Sequence, residues 1–146
     1  MATKRMGTPW MPADDYGRGL KGLGVNLLVS DVAASVEFAR AVLGAAVVYA
    51  DVDFAVLQHG DAQWMLHADH TYEDHPLHGF VANMDGRGAG AELRLHECDP
   101  DNAETAARAA GHTVLAGAAD KPHGLREAYI LDPDGYCWVP DIPISS

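Results

Sequence analysis

The chain has 146 residues, and its 10 lysines and arginines stand against 21 aspartates and glutamates, for a net charge of −11 with neutral histidines. That length suits one compact domain, and a hydrophobic fraction of 48% excludes wholesale disorder. The acidic balance excludes nucleic acid as a partner, and the sequence has neither an apolar run long enough for a membrane span nor a visible secretory signal, so we expect a cytoplasmic protein.

The first 22 residues are interrupted by prolines and glycines, which predicts an extended arm. Trp10, Met11 and Tyr16 make this segment too apolar for a free tail. We therefore expect the arm to lie on the domain or on a partner subunit.

After the arm, one order of elements occurs twice: a strand, a helix and three further strands. Asp31 caps the first helix, which Gly44 ends, while Asp99 and Pro100 begin the second, which Gly111 ends. The strands are predicted at residues 25–29, 45–50, 54–58, 63–67, 92–96, 113–116, 127–131 and 136–139.

This repeat, at an offset of 67 or 68 residues, indicates an internal duplication. It predicts an α+β fold in which two βαβββ modules form a curved mixed sheet around a concave cavity that could bind a ligand. The expected organisation is an arm at 1–22 and a domain at 23–146, with module one at 23–69, a lid or linker at 70–89 and module two at 90–141.

Several of these segments resemble the vicinal oxygen chelate superfamily, which includes glyoxalase I, bleomycin-resistance proteins, fosfomycin-resistance enzymes and extradiol dioxygenases. The similar residues are the run from Val29 to Ser35, Phe38 with Leu43-Gly44, and the hairpin Asp132-Pro133-Asp134-Gly135-Tyr136. The resemblance covers residues 23–141 and implies the same paired-module fold and a homodimer. The chain departs from it at Ala39, where relatives usually have a tyrosine.

The metal-dependent members of this superfamily have ligands at four strand positions. Here those positions correspond to Gly24, Met65, Glu92 and Val139, of which only Glu92 could bind a cation. We therefore expect no metal and no other cofactor. A register shifted by two residues would instead supply Asn26, His67 and Asp141, which leaves a metal site open as the alternative.

Strand alternation directs a polar set of side chains into the expected cavity. Arg94 could pair with a carboxylate, and Glu92 or His67 could serve as a general base, although Glu92 and Arg94 could equally pair with each other. The candidate catalytic residues are Glu92 and His67. The candidate ligand-binding residues are Asn26, Met65, Arg94, His96, His123, Arg126, Tyr129 and Trp138.

Two loops add candidates. The loop at residues 69–78 is rich in histidine and acid, which predicts a lid with His70 or Tyr72 touching ligand, while a structural zinc there is a further possibility. The loop at residues 120–127 gathers Lys121, His123 and Arg126, a local positive patch that favours an anionic ligand.

The sequence thus supports a protein that binds a small polar or anionic molecule without the superfamily's metal site. The alternative is a metal-dependent lyase, isomerase or dioxygenase, and acid–base catalysis without metal by Glu92 and His67 is a third possibility. The residues leave open whether the protein is an enzyme, and the only partners expected are the small molecule and a second copy of the chain.

Overall fold

The computed structural model describes residues 4–81 and 84–145. The first half has a short helix α1 (Ala13–Arg18), then β1 (Asn26–Val29), α2 (Val32–Leu43), β2 (Ala46–Ala50), β3 (Phe54–His59) and β4 (Ala62–Ala68). A 3-10 turn (Asp69–Thr71) and a single helical turn, α3 (His78–Val81), follow. The second half has β5 (Glu92–His96), α4 (Pro100–Ala109), β6 (Val114–Asp120), β7 (Leu125–Leu131) and β8 (Cys137–Pro143).

The strands form two four-stranded mixed sheets, β1-β4-β3-β2 and β5-β8-β7-β6. In each sheet the first and last strands of a module pair in parallel and the other neighbours are antiparallel. The predicted α+β fold with two βαβββ modules is therefore confirmed. None of the helices in the described ranges is both long and apolar enough to span a membrane.

Helices α2 and α4 begin where the sequence predicts. The Asp31 carboxylate accepts a hydrogen bond from the backbone N–H of Ala34, and Asp99 accepts from the N–H groups of Asp101 and Asn102. Gly44 ends α2 in the left-handed conformation with φ 69°, which costs glycine little.

One hydrophobic core includes the inner faces of helices α2 and α4, which pack against each other and against the strands of their own modules. Leu57 and Leu66 enter it from the first sheet, and Ala128 and Ile130 enter it from the second. Because side chains alternate along a strand, the other face of each sheet points away from this core. These outer faces hold most of the predicted site residues.

A buried ion cluster connects the modules. The guanidinium of Arg87, 3% exposed, pairs with both carboxylate oxygens of Asp69 at 2.8 Å and donates to the carbonyl of Leu28 at 3.0 Å. Asp134, in the β7–β8 hairpin, accepts from the backbone N–H of Ser30. The hairpin of module two is thus held against β1 of module one.

Several segments differ from the sequence predictions. Strand β6 continues to Asp120 and β7 begins at Leu125, which shortens the predicted loop at residues 120–127. The arm includes the helix α1, with Asp14 and Asp15 in its first turn and Arg18 in its last turn, an order that suits the helix dipole. Strand β8 continues beyond residue 139, although Pro140 has no N–H, because its parallel neighbour β5 remains in register as far as Asp141.

Candidate functional site

The predicted site residues lie on two sheets and do not form one cavity. Asn26, Met65 and His67 are on the outer face of the first sheet, whereas Glu92 and the rest of the second group belong to the other module. A pocket forms over the first sheet, and of the predicted residues only Met65 and His67 line it. The second group comprises Glu92, Arg94, His96, His123, Arg126, Tyr129 and Trp138.

A short hydrogen-bond chain lies beneath the pocket over the first sheet. Nδ1 of His67 is 2.5 Å from the side-chain oxygen of Asn26, whose Nδ2 donates to the Tyr72 hydroxyl at 2.6 Å. With the amide oriented in this way, its oxygen must accept, so Nδ1 of His67 carries the proton. The opposite ring atom, Nε2, is then a hydrogen-bond acceptor in the neutral imidazole.

The environment of His67 keeps its ring neutral. Burial, with a smaller contribution from the positive charge of Arg5, lowers the pKa of His67 from 6.5 to about 4. At neutral pH the pocket therefore has an uncharged acceptor at this position.

The pocket encloses about 440 Å³ between the first sheet and the arm, which folds back across the sheet. Phe54 and Met65 contribute the sheet side, and Trp10 and Tyr16 contribute the arm side. The Trp10 ring stacks on Tyr49 with centroids 4.4 Å apart and a tilt of 17°, and Tyr16 meets Phe54 edge to face at 5.9 Å. Of the two positions expected for the arm, on the domain or on a partner subunit, this structure shows the arm on the domain of its own chain.

Ion pairs hold the start of the arm beside the pocket. Arg5 contacts the Asp51 carboxylate at 2.5 Å, and its backbone N–H donates to Asp53 at 3.1 Å. Asp53 is 7% exposed and also pairs with His70 at 2.7 Å. His70 and Tyr72, which the sequence predicts to touch a ligand from a lid, contact Asp53 and Asn26 respectively, and neither lines this pocket.

On the outer face of the second sheet, Arg94 is surrounded by carboxylates. It contacts the buried Glu127, donates to Glu92 at 2.6 Å and lies 3.7 Å from the buried Asp141. Tyr129 donates to Glu127 at 2.9 Å. This arrangement matches the paired alternative left open by the sequence, and it leaves Arg94 without the free positive charge that a carboxylate ligand would need.

The two histidines of this face pair with its buried carboxylates. His96 Nδ1 lies 2.8 Å from Asp141, and His123 Nε2 lies 3.3 Å from Glu127. Both side chains are more than half exposed. They extend the acidic network toward solvent, and neither lines the pocket over the first sheet.

The positive patch expected from Lys121, His123 and Arg126 does not form. Arg126 lies on the opposite strand face from Glu127 and pairs in a bidentate manner with Asp101 of α4, with both contacts at 2.8 Å, as well as with Asp120. Its charge is therefore neutralised on the helix side of the sheet, and it does not face an anionic ligand.

Trp138 is also separated from the outer face. It is 5% exposed, belongs to the core and donates from Nε1 to Asp132 at 3.2 Å. The sequence analysis predicted that Trp138 binds the ligand, but the structure places it in the core. Its neighbour Cys137 is half-buried, and burial raises the pKa of its thiol, so no activated thiolate is present there.

The side chains present do not fit the superfamily's metal site. Of the corresponding positions, Gly24, Met65, Glu92 and Val139, only Glu92 has a side chain that readily binds a divalent cation, and in the shifted alternative Asn26 and His67 lie in the first sheet while Asp141 lies in the second. Within residues 4–81 and 84–145, no three His, Cys, Asp or Glu side chains converge as a metal site would require, and this applies also to the histidines of the loop after β4.

The sequence did not identify Trp10, Tyr16, Phe54 or Asp53 as site residues. The available signal was the density of aromatic residues in a proline- and glycine-rich segment. That signal predicts docking of the arm, but the surface that the arm covers depends on the fold.

Two modules of the same topology, whose helices pack against each other, define the class of protein. The family model of the Glyoxalase/Bleomycin resistance protein/Dioxygenase superfamily matches residues 23–139, and the chain belongs to that superfamily. The match begins after the arm. No curated protein sequence matches the chain.

Solved structures support the same fold. A glyoxalase/bleomycin resistance protein/dioxygenase family enzyme from Burkholderia phytofirmans PsJN is 21% identical, with a TM-score of 0.67 over 82% of this chain and 96% of that one. Hypothetical protein SA1046 from S. aureus is 19% identical, with a TM-score of 0.65 over 87% and 98%. The fosfomycin resistance protein FosX from Mesorhizobium loti is 15% identical, with a TM-score of 0.58 over 86% and 94%. At these identities the similarity concerns the fold.

Proposed function

We propose that the protein binds a planar aromatic molecule that carries a hydroxyl group and an anionic group, in the pocket between the arm and the first sheet. The observation that carries this proposal is a neutral acceptor, His67 Nε2, in a pocket otherwise lined largely by aromatic and apolar side chains. Such pockets, with a few placed polar groups, are typical small-molecule sites.

The hydroxyl follows from the protonation state of His67. A neutral imidazole whose Nδ1–H is already donated to Asn26 can accept one further hydrogen bond at Nε2. A phenolic hydroxyl can donate that bond, whereas a carboxylate cannot.

The anionic group follows from the pocket rim. Lys4 and Arg5 both line the pocket, and Arg5 is already paired with Asp51, so Lys4 is the cation that a ligand could meet. This retains the small polar or anionic ligand expected from the sequence, but in one module and with an aromatic body.

Binding is better supported than acid–base catalysis. A general base works best when its pKa lies near the working pH. With a pKa of about 4, His67 is a weak base, and Glu92, its predicted catalytic partner, lies on the other sheet. The homodimer remains an expectation from the family resemblance.

The test is calorimetric titration with 6-hydroxy-2-naphthoate and, as a matched ligand, 2-naphthoate, which lacks the hydroxyl. We expect the wild type to prefer the hydroxylated ligand about tenfold, the value of one well-placed hydrogen bond. His67→Phe keeps an aromatic ring but removes the acceptor, and should abolish that preference. The proposal fails if the wild type binds neither ligand, or if His67→Phe keeps the full preference.

A further inference from the structure

The walls of this pocket come from two different parts of the chain. Of the fourteen residues that line it, nine lie between residues 4 and 20, before the start of the family match at residue 23. The family domain supplies the remaining five, which include His67, Phe54 and Met65. Most of the residues that line the pocket therefore belong to a segment that the family model does not include.

The arm is held on the sheet at three separate points. Arg5 pairs with Asp51 at one end, the Trp10 ring stacks on Tyr49 in the middle, and the Tyr16 hydroxyl donates to Gln63 at 3.1 Å. These contacts fix the aromatic side chains over the sheet and leave a cavity beneath them.

The rings from the arm and the sheet form a partial cage. Trp10 lies at a small angle to Phe54, with 6.0 Å between centroids and a tilt of 24°, and Tyr16 stands edge-on to Phe54. Trp10 is still 38% exposed, so its ring has contact surface available. Aromatic faces in this arrangement favour a flat ligand over a puckered one of similar size.

We propose that the arm is the specificity-determining element of the site, and that Trp10 selects planar ligands. The inference rests on the proposed function, because it concerns the same pocket. Two parts of the chain share the selection of the ligand. His67 of the family domain accepts a hydrogen bond from the ligand hydroxyl, and Trp10 of the arm stacks on a planar ring. Ligand choice is thus set to a large extent by residues outside the family domain.

The test compares 6-hydroxy-2-naphthoate with trans-4-hydroxycyclohexanecarboxylate, an aliphatic hydroxy acid, by calorimetric titration of the full chain. We expect the wild type to prefer the planar ligand at least about tenfold, because ring stacking adds to the burial of area. Trp10→Leu keeps apolar bulk and should reduce that preference to within about threefold, and Trp10→Phe should retain most of it.

Two control variants separate the possible failures. Met6→Ala changes an arm residue that is 93% exposed and does not line the pocket, so it should leave both affinities unchanged. His67→Phe should lose the hydroxyl preference and keep the planar preference. If the wild type binds neither acid, the proposed function itself fails.

If the wild type binds but Trp10→Leu keeps the full planar preference, the assignment of Trp10 is overturned while the pocket stands. Tighter binding of both acids by Trp10→Leu would also overturn it, since the arm would then be an inhibitory cover.

A second measurement does not depend on the folding of Trp10→Leu. In the ¹⁵N–¹H spectrum of the wild type, the indole N–H peak of Trp10 is assigned by its loss in Trp10→Phe. The planar ligand should shift this peak more than the peaks of the core residues Trp64 and Trp138. Equal shifts of all three peaks, or no shift of the Trp10 peak, would count against the inference.

Discussion

Nδ1 of His67 lies 2.5 Å from the side-chain oxygen of Asn26, and this contact joins β4 to its parallel neighbour β1 beneath the pocket. It fixes which ring nitrogen carries the proton. Because the ring is also largely buried, protonation of the second nitrogen would place a positive charge in a poorly solvated position near Arg5.

This pair makes a prediction about pH. The pKa of His67 is lowered from 6.5 to about 4, so between those values the unfolded chain binds a proton that the folded chain does not. Folding stability should therefore decrease as the pH falls from 6.5 to 4, by roughly 2 kcal/mol from this residue after allowance for solvent screening. Urea unfolding of the wild type and His67→Gln at pH 7.5 and 4.5 measures the effect. The variant should lose less stability than the wild type, and equal losses would contradict the assignment.

Arg87 provides a prediction about the contact between modules. Arg87→Met should destabilise the protein by about 3–5 kcal/mol, because Asp69 and the buried Asp134 would lose their counter-charge. Arg126→Met is the matched control: its partners Asp101 and Asp120 are more than half exposed, and its loss should change stability little. Denaturant unfolding at pH 7.5 compares the two variants. Similar losses would show that burial does not distinguish these ion pairs.

The same contact can be tested through the backbone. Gly135 has φ 96°, and a Cβ atom there would stand 2.6 Å from Cα of Gly86, so Gly135→Ala should cost more than about 3 kcal/mol. Gly60 also has a positive φ, of 57°, but a Cβ atom there would meet nothing within 4 Å, and Gly60→Ala should cost about 1 kcal/mol. Thermal and urea unfolding give both values. Equal costs would mean that the hairpin does not press on the segment at residues 86 and 87.

The local elements could be predicted because their signals are local. A cap at Asp31 and a left-handed glycine at Gly44 lie within one helix, and the Asp132–Tyr136 hairpin lies within one turn. The duplication then led to the fold. The pocket could not be predicted in this way, because the contacts of Arg5 with Asp51 and of Tyr16 with Gln63 join residues more than 40 positions apart.

Arg126 shows that part of the site could have been predicted better. Alternation along β7 places Glu127 and Tyr129 on the outer face, and the same alternation places Arg126 on the helix face, where it pairs with Asp101. The sequence prediction grouped Arg126 with its loop neighbours and so assigned it to the wrong face. Alternation also accounts for Trp138. Its neighbour Val139 lies on the outer face, so Trp138 lies on the opposite face, toward the core.

The Arg94 network gives the last prediction. Arg94→Met removes the guanidinium that contacts Glu127, and both Glu127 and Asp141 are only 1% exposed. In the wild type, burial alone would raise the pKa of Glu127, but hydrogen bonds from Tyr129, His123 and Arg94, with the charge of Arg94, hold it below its usual value. Without Arg94 that pKa should rise, and stability at pH 7.5 should fall by about 3 kcal/mol.

The pH dependence separates charge from packing. In Arg94→Met the folded state would bind a proton at Glu127 more tightly than the unfolded chain, so the deficit relative to wild type should shrink as the pH falls from 7.5 to 5. Glu127→Gln in the same background should restore part of the stability at pH 7.5. Arg40→Met, which breaks an exposed pair with Glu37, is the control and should change stability little at either pH. A deficit that is equal at both pH values would mean that Arg94 stabilises this face through the packing of its methylene groups, with no contribution from its charge.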